Sequence, residues 1–116
     1  MKVVRFEDLI AWQKAQDLAI YIYTAFANLK DFDFRSQIRS AVVSVSNNIA
    51  EGFDIASKKE FNRFLGISRN SCNEVKSMIY LAFRLNYVDV KDKVELISHC
   101  EEVTRIIVGL MKSLGL

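Results

Sequence analysis

The stretch SVSNNIAEGF, residues 44–53, lies in a run whose apolar residues recur with the spacing of a buried helix. It nevertheless carries serine, asparagine and glutamate side chains, and it closes with a glycine at position 52. Polar groups buried between helices require hydrogen-bond partners. The stretch therefore contributes either to a ligand site or to a polar network that joins helices. We favour the network, because no metal-ligand set or convergent acid–base pair accompanies these side chains.

Outward from this stretch, apolar periodicity predicts four helices, at about residues 8–29, 36–51, 57–85 and 90–111. Gly52 fits a left-handed residue that ends helix 2. Ser57 and Glu60 form a capping-box pattern at the start of helix 3, and Asp89 fits the N-cap of helix 4. The inner stripe of helix 1 is expected to be Ala11, Ala15, Leu18, Ile22, Ala25 and Leu29. That of helix 2 is expected to be Phe34, Ile38, Ala41, Val42, Val45, Ile49 and Gly52, and that of helix 4 Val90, Val94, Ile97, Glu101, Thr104, Val108 and Met111.

The chain has 116 residues, half of them apolar, with four glycines and no proline. A chain of this length can build one core, and the lack of helix breakers favours helices. Four helices of similar length with short connections pack as antiparallel neighbours. We expect an all-α, up-down-up-down, left-handed four-helix bundle in which residues 1–116 form a single domain.

Apolar runs and cysteine positions indicate the cellular location that the sequence predicts. The start of the chain lacks the apolar run of a signal peptide, and the longest uncharged stretch, residues 18–29, is too short to cross a bilayer. These features predict a cytoplasmic protein without membrane contact. Cys72 and Cys100 lack metal-ligand spacing and are read as small core residues.

A second apolar ribbon follows helix 1, roughly opposite its inner stripe, and a weaker one follows helix 4. A helix that is apolar on two sides needs a second partner, so we expect a homo-oligomer with a seam along helices 1 and 4. The alternative is a wide inner face with scattered surface aromatics. The interface residues expected are Leu9, Trp12, Gln16, Ile20, Tyr23, Val103, Ile106 and Leu110.

Charge is unevenly distributed along the chain. Residues 35–84 hold eight basic and four acidic residues, whereas the remainder holds eight basic and ten acidic ones. The two central helices thus favour an anionic partner, with ordinary solvated helix faces as the alternative. Sequence-independent phosphate contacts with RNA or DNA would come from Arg35, Arg39, Lys58, Lys59, Arg63, Arg69, Lys76 and Arg84.

The chain has few side chains of the types that enzymes use for catalysis. His99 is the sole histidine and has no carboxylate or cysteine four residues later, and the chain has no glycine-rich phosphate loop. We expect no enzymatic activity, no cofactor and no metal site. The polar positions of helices 2 and 3 are expected to form a structural network of Gln37, Ser44, Asn48, Glu51, Ser71 and Glu74. A binding groove built from Asn48, Glu51, Arg63 and Arg69 is the functional alternative.

Several motifs together resemble a known family. They are Phe6-x-x-Leu9-x-x-Trp12-x-x-Ala15, the segment QIRSA containing Arg39, SVSNNIAEG, Glu60-Phe61-x-x-Phe64-Leu65 and Ser71-x-x-Glu74. This set resembles the four-helix-bundle proteins encoded in intervening sequences of bacterial 23S ribosomal RNA genes. It is more distantly similar to the accessory protein of diversity-generating retroelements.

The resemblance implies an up-down bundle that assembles as a ring, commonly a pentamer, and it implies no known enzyme activity. The retroelement relatives bind nucleic acid and a reverse transcriptase through a basic surface. This chain differs from other members at two segments, and both differences affect whether it is expected to bind nucleic acid in the same way. Asp54, Ile55 and Ala56 stand where members often carry arginine, and Asn70-Ser71 stands where members often carry Gly-Ser. Fewer phosphate contacts predict weaker binding and a smaller salt dependence.

Two functions follow as hypotheses. The first is an oligomeric protein that binds nucleic acid through phosphate contacts from helices 2 and 3. The second is a protein-interaction scaffold that holds another protein and has no nucleic-acid role.

Overall fold

The computed structural model describes residues 2–55 and 57–116, and Ala56 of the Asp54–Ala56 departure lies outside this part. A short 3-10 turn, Phe6–Asp8, precedes four helices. These are α1 (Ile10–Ala25), α2 (Phe32–Phe53), α3 (Lys58–Arg84) and α4 (Val90–Ser113). The described residues contain no strand, which confirms the predicted all-α class.

Each helix packs against its neighbours in the chain, and α4 returns to pack against α1. Side-chain pairs show that neighbours run antiparallel. From α2 to α3, Ser44 meets Ser71 whereas the later Gly52 meets the earlier Phe64. From α3 to α4, Cys72 meets Thr104 whereas the later Lys76 meets the earlier Glu101. The bundle measures 43 × 22 × 20 Å, so the helices lie along its long axis. The predicted four-helix bundle is confirmed.

Helix α1 is shorter than the sequence pattern predicted. It begins after Leu9, whose backbone is extended, and it ends at Ala25. Because the chain turns there, Phe26 enters the core, whereas Ala25 is exposed and Leu29 is half-buried. The predicted inner stripe of α1 is therefore correct as far as Ile22 and wrong beyond it.

Helix α2 begins four residues earlier than predicted. Asp31 is its N-cap, and its Oδ1 accepts a hydrogen bond from the backbone N–H of Phe34 at 3.1 Å. The Tyr87 hydroxyl donates to Asp31 Oδ2 at 2.6 Å, which joins the α1–α2 turn to the α3–α4 turn. This hydrogen bond and that from the Phe34 N–H lower the pKa of the Asp31 carboxyl.

Gly52 does not end α2 in the left-handed conformation that was predicted. It lies inside the last turn of the helix. A Cβ at this position would lie 2.5 Å from Cβ of Phe64 and 3.1 Å from Cδ1 of Phe61. The glycine is thus required by the close approach of α3, since no side chain fits between the two backbones.

The predicted N-caps of α3 and α4 are confirmed. The Ser57 hydroxyl accepts from the Glu60 N–H at 3.1 Å, and the Asp89 carboxylate accepts from the Asp92 N–H at 2.8 Å. The Glu60 carboxylate, expected to reach back in a capping box, instead pairs with Arg63 at 3.2 Å. Asn86, with φ of 62°, reverses the chain after α3.

The core contains the predicted stripe of α2 in full, but that of α4 was predicted wrongly. Val90 and Val94 are 60% and 59% exposed, and Glu101 is also exposed. Helix α4 carries apolar residues around much of its circumference, so periodicity alone did not identify its inner face. The buried residues of α4 are Leu96, Ile97, Cys100, Val103 and Ile107.

Candidate nucleic-acid interface and polar seam

A polar seam joins α2 to α3, and half of its predicted members take part. The hydroxyls of Ser44 and Ser71 are 2.9 Å apart. The Asn48 amide donates to the Ser44 carbonyl at 2.8 Å and to its hydroxyl at 2.9 Å. These half-buried groups satisfy one another, which supports a structural reading of SVSNNIAEGF.

The other three predicted members lie outside the seam. Gln37, Glu51 and Glu74 are exposed and make no side-chain hydrogen bond within residues 2–55 and 57–116. Two buried serines act nearby instead. Ser68 donates to the Val45 carbonyl at 2.6 Å, and Gln16 of α1 donates to the Ser46 hydroxyl at 3.1 Å. Small hydroxyls within apolar stripes were the sequence signal for these two contacts.

An open groove of about 830 Å³ follows the outer face of α2. Serine and asparagine side chains form its floor, and Tyr23 and Phe32 border it on the α1 side. Asn48 and Glu51 of the alternative binding groove contribute to it, whereas Arg63 and Arg69 belong to α3 and do not. The predicted four-residue groove is therefore not formed.

The two arginines of α2 are held by the subunit itself. Arg35 Nη1 donates to the carbonyls of Ala27 and Leu29 at 3.3 Å, next to the end of α1. The Arg39 guanidinium lies 4.6 Å from the centre of the Tyr23 ring. Its Nε is buried and lacks a hydrogen-bond partner within the described chain. Both side chains are half-buried and line the groove on α2, so contacts within the subunit fix their positions.

The cations of α3 have a different environment. Lys58, Lys59 and Arg84 are exposed, and Arg69 is half-buried. Arg63 is exposed beside Phe64, and its ion pair with Glu60 is weak because both side chains are about half exposed to solvent. Lys76 is the exception, since it reaches across to Glu101 of α4 at 3.3 Å.

Counting charges by helix separates α3 from the rest of the bundle. Helix α3 holds six basic and two acidic residues, whereas α1, α2 and α4 each hold equal numbers of the two signs. The sequence predicted an excess of positive charge on both central helices. The structure restricts this excess to α3, because the charges within α2 sum to zero.

The predicted interface residues divide into three groups. Leu9 and Val103 lie in the subunit core, so they do not belong to an exposed ribbon. Gln16 and Tyr23 turn towards α2, as their contacts with Ser46 and Arg39 show.

The remaining members are Trp12, Ile20, Ile106 and Leu110. Trp12, Ile106 and Leu110 are half-buried against the core, and Ile20 is exposed beside a groove between α1 and α4. The predicted seam of helices 1 and 4 thus keeps Ile20 as its main exposed apolar residue.

Residues with reactive side chains are separated or buried. His99 stacks on Tyr21 with ring centres 4.2 Å apart. Cys72 and Cys100 are buried thiols, as predicted, and Cys72 donates to the Cys100 carbonyl at 3.4 Å. A hydrogen bond to Cys72, together with burial, raises the pKa of Cys100.

Among residues 2–55 and 57–116, no group of three or more metal-ligand side chains converges. In the same part of the chain, every helix is too short or too polar to span a membrane.

Comparison with known proteins identifies a family and a similar solved structure. The sequence profile described as "23S rRNA-intervening sequence protein" matches residues 7–109. A crystal structure of a protein of unknown function from the S23 ribosomal protein family of Bacteroides thetaiotaomicron is similar, with a TM-score of 0.82 and 22% identity. The alignment covers 89% of this chain and 99% of the other, and at this identity it supports the fold alone. No curated protein matches significantly.

Proposed function

Because the chain belongs to the 23S rRNA-intervening sequence protein family, we propose that it is a non-enzymatic protein that binds RNA through phosphate contacts from α3. The observation that carries this proposal is the concentration of unbalanced positive charge on one helix. Cations on a solvated face attract phosphates without sequence preference and release counterions when they bind. A neutral α2 restricts the binding surface to Lys58, Lys59, Arg63, Arg69 and Arg84.

Assembly is part of the proposal. The family resemblance implies a ring, commonly a pentamer, and Ile20 gives α1 an exposed apolar residue. A ring would repeat the charged face of α3 once per subunit. Several weak phosphate contacts on one particle bind a long RNA far more tightly than one subunit does, because the later contacts are intramolecular.

The test compares the removal of equal charge from two helices. Lys59→Gln, Arg63→Gln and Arg84→Gln form the α3 variant, and Lys91→Gln, Arg105→Gln and Lys112→Gln form the matched α4 variant. Binding of a labelled RNA is measured by fluorescence anisotropy at low and at moderate salt. The α3 variant should bind at least tenfold more weakly, with a salt slope smaller by up to about three, because each lost phosphate contact lowers the slope by about one.

The α4 variant should stay within about twofold of the wild type at both salt concentrations, since its charges are balanced locally. Circular dichroism and mass in solution confirm that both variants keep the fold and assembly. Absence of RNA binding at low salt, or equal losses in the two variants, would contradict the proposal.

The groove on α2 favours a second candidate, a scaffold that holds another protein without binding nucleic acid. Its aromatic border and short polar floor could receive a helix of a partner. The same pair of variants tests this function: a partner that co-purifies with the α3 variant as well as with the wild type, while RNA binds to neither, favours the scaffold.

A further inference from the structure

We propose that α3 docks lengthwise in the minor groove of double-stranded RNA, where a row of amide side chains contacts ribose 2′-hydroxyls. This inference names the ligand of the RNA-binding face and so rests on the proposed function. It depends on how the outward side of α3 is arranged: a central row without charge, cations at both ends, and an arginine on each side of the row.

The central row follows from helical geometry. Residues three and four apart along α3 share one side of the helix. The side opposite the core carries, in order, Lys59, Asn62, Gly66, Asn70, Asn73, Ser77, Tyr80 and Arg84. At 1.5 Å per residue, the row extends for about 37 Å. It contains no carboxylate, and its middle consists of short polar side chains and one glycine.

The middle of the row is free to bind a ligand. Asn70, Asn73 and Ser77 are exposed and form no side-chain hydrogen bond with any described part of the chain. A Cβ at Gly66 would meet no atom within 4 Å, so the backbone there is open to close approach. Amide and hydroxyl groups both donate and accept hydrogen bonds, as a ribose 2′-hydroxyl does.

Cations lie on both edges of the row. By the helical angle of 100° per residue, Arg63 lies on the α2 side and Arg69 on the α4 side, separated by about 120° around the helix. The acidic residues Glu60 and Glu74 lie off the row, on the α2 side. The edge on the α4 side is therefore cationic, whereas Arg63 shares the α2 side with both carboxylates. In a groove, Arg69 would contact the phosphate backbone along one rim, and the cations at the two ends of the row would add further phosphate contacts.

The size of the side chains favours duplex RNA over duplex DNA. The minor groove of RNA is wide and shallow, so short amides on a helix reach its floor. The minor groove of DNA, about 6 Å wide, is too narrow for a helix about 10 Å across. The DNA major groove admits a helix but is about 8.5 Å deep, and the middle of the row holds no long side chain to reach base edges there.

The experiment measures binding to three labelled ligands of one sequence: duplex RNA of about 16 base pairs, duplex DNA and single-stranded RNA. Wild-type protein should bind duplex RNA roughly tenfold more tightly than the other two. The variant Asn70→Ala/Asn73→Ala should lose roughly fivefold to tenfold in affinity for duplex RNA, which is the equivalent of two ordinary hydrogen bonds. Its salt slope should not change, because no phosphate contact is removed.

The matched control is Asn47→Ala, which removes an exposed asparagine from the outer face of α2. This variant should bind duplex RNA as the wild type does. Equal, salt-dependent affinity for duplex RNA and duplex DNA would overturn the minor-groove inference and leave the proposed function intact. Preference for single-stranded RNA, or equal losses by Asn70→Ala/Asn73→Ala on all three ligands, would overturn the inference in the same way. Failure of every ligand to bind at low salt would overturn both.

Discussion

The outer faces of α2 and α3 lie side by side on one bundle, yet they use arginine in opposite ways. On α2, Arg35 binds backbone carbonyls of the α1 end and Arg39 covers the Tyr23 ring. On α3, Arg84 extends into solvent, and Arg63 is exposed beside Glu60 and the Phe64 ring of its own helix. The difference is set by what lies next to each helix rather than by residue type. A count of basic residues therefore overstates the charge that α2 can offer to a partner.

Glycine also has different roles where α2 contacts α3 and on the outer face of α3. Gly52 and the seam of Ser44, Asn48 and Ser71 bring α2 close to α3. Gly66 of α3, by contrast, faces open space. The same residue type thus permits close helix packing at one position and exposes backbone at the other.

The largest expected effect is on assembly. Ile20 of α1 is 62% exposed and Leu81 of α3 is 48% exposed. If the α1 side carries the interface and α3 stays free for RNA, Ile20→Asp should reduce the mass in solution to that of one subunit, because a buried unpaired carboxylate is strongly unfavourable. Leu81→Asp should leave the mass unchanged. Light scattering at micromolar concentration measures both.

Trp12 is unsuitable for this test, because its ring packs edge-on against Phe6 and against the core. A charge there would unfold the subunit and disrupt any assembly indirectly. A monomeric wild-type protein, or dissociation by Leu81→Asp but not by Ile20→Asp, would contradict the division between an assembly side and an RNA side.

The second largest effect is on stability, where alanine substitutions at the two glycines of α2 and α3 should act in opposite directions. Gly52→Ala should lower the free energy of unfolding by about 1–3 kcal/mol, because the added methyl forces α2 and α3 apart. Gly66→Ala should raise it by about 0.5–1 kcal/mol, since alanine favours a helix and meets no atom. Urea denaturation measures both. A stabilised Gly52→Ala variant would show that the helices approach less closely than described here.

A smaller effect concerns the N-caps of the two helices. Ser57→Ala should destabilise α3 by about 1 kcal/mol at every pH, because a serine hydroxyl does not titrate. Asp31→Ala should destabilise the protein at neutral pH, where the carboxylate caps α2 and accepts from Tyr87. The pKa of Asp31 is lowered in the folded state, so its contribution is complete above the usual carboxyl pKa.

That contribution is lost as the pH falls through the lowered pKa of Asp31. Urea denaturation from neutral pH to about pH 3 should therefore show the gap between wild type and Asp31→Ala closing only at the acid end, below the ordinary carboxyl pKa of about 3.9. The gap for Ser57→Ala should stay constant. A gap for Asp31→Ala that does not depend on pH would contradict the role of the ionised carboxylate.

Sequence patterns predicted the fold well where one side of a helix is clearly apolar. The stripe of α2, from Phe34 to Gly52, is buried as predicted. Helix α4 was assigned the wrong inner face because Val90 and Val94 have the same spacing as its buried residues. The start of α2 was missed although its N-cap contact is local, because residues 32–35 alternate apolar and charged side chains and so lack helical spacing.

The candidate site was predictable in composition but not in position. The cations of both central helices are evident in the sequence, whereas the hydrogen bonds that hold Arg35 against backbone carbonyls require the turn after α1. Gln37, Glu51 and Glu74 share helical edges with the seam. They do not join it because the partners they would need lie beyond their reach on an exposed face.

The central claim, that α3 is the RNA-binding face, is tested most directly by lysine labelling. Acetylation of each lysine is measured by mass spectrometry with and without saturating duplex RNA at low salt. Lys58 and Lys59 of α3 should be protected severalfold, whereas Lys91 and Lys112 of α4 should react as they do in the free protein. Protection of the α4 lysines with Lys58 and Lys59 unchanged would contradict the account.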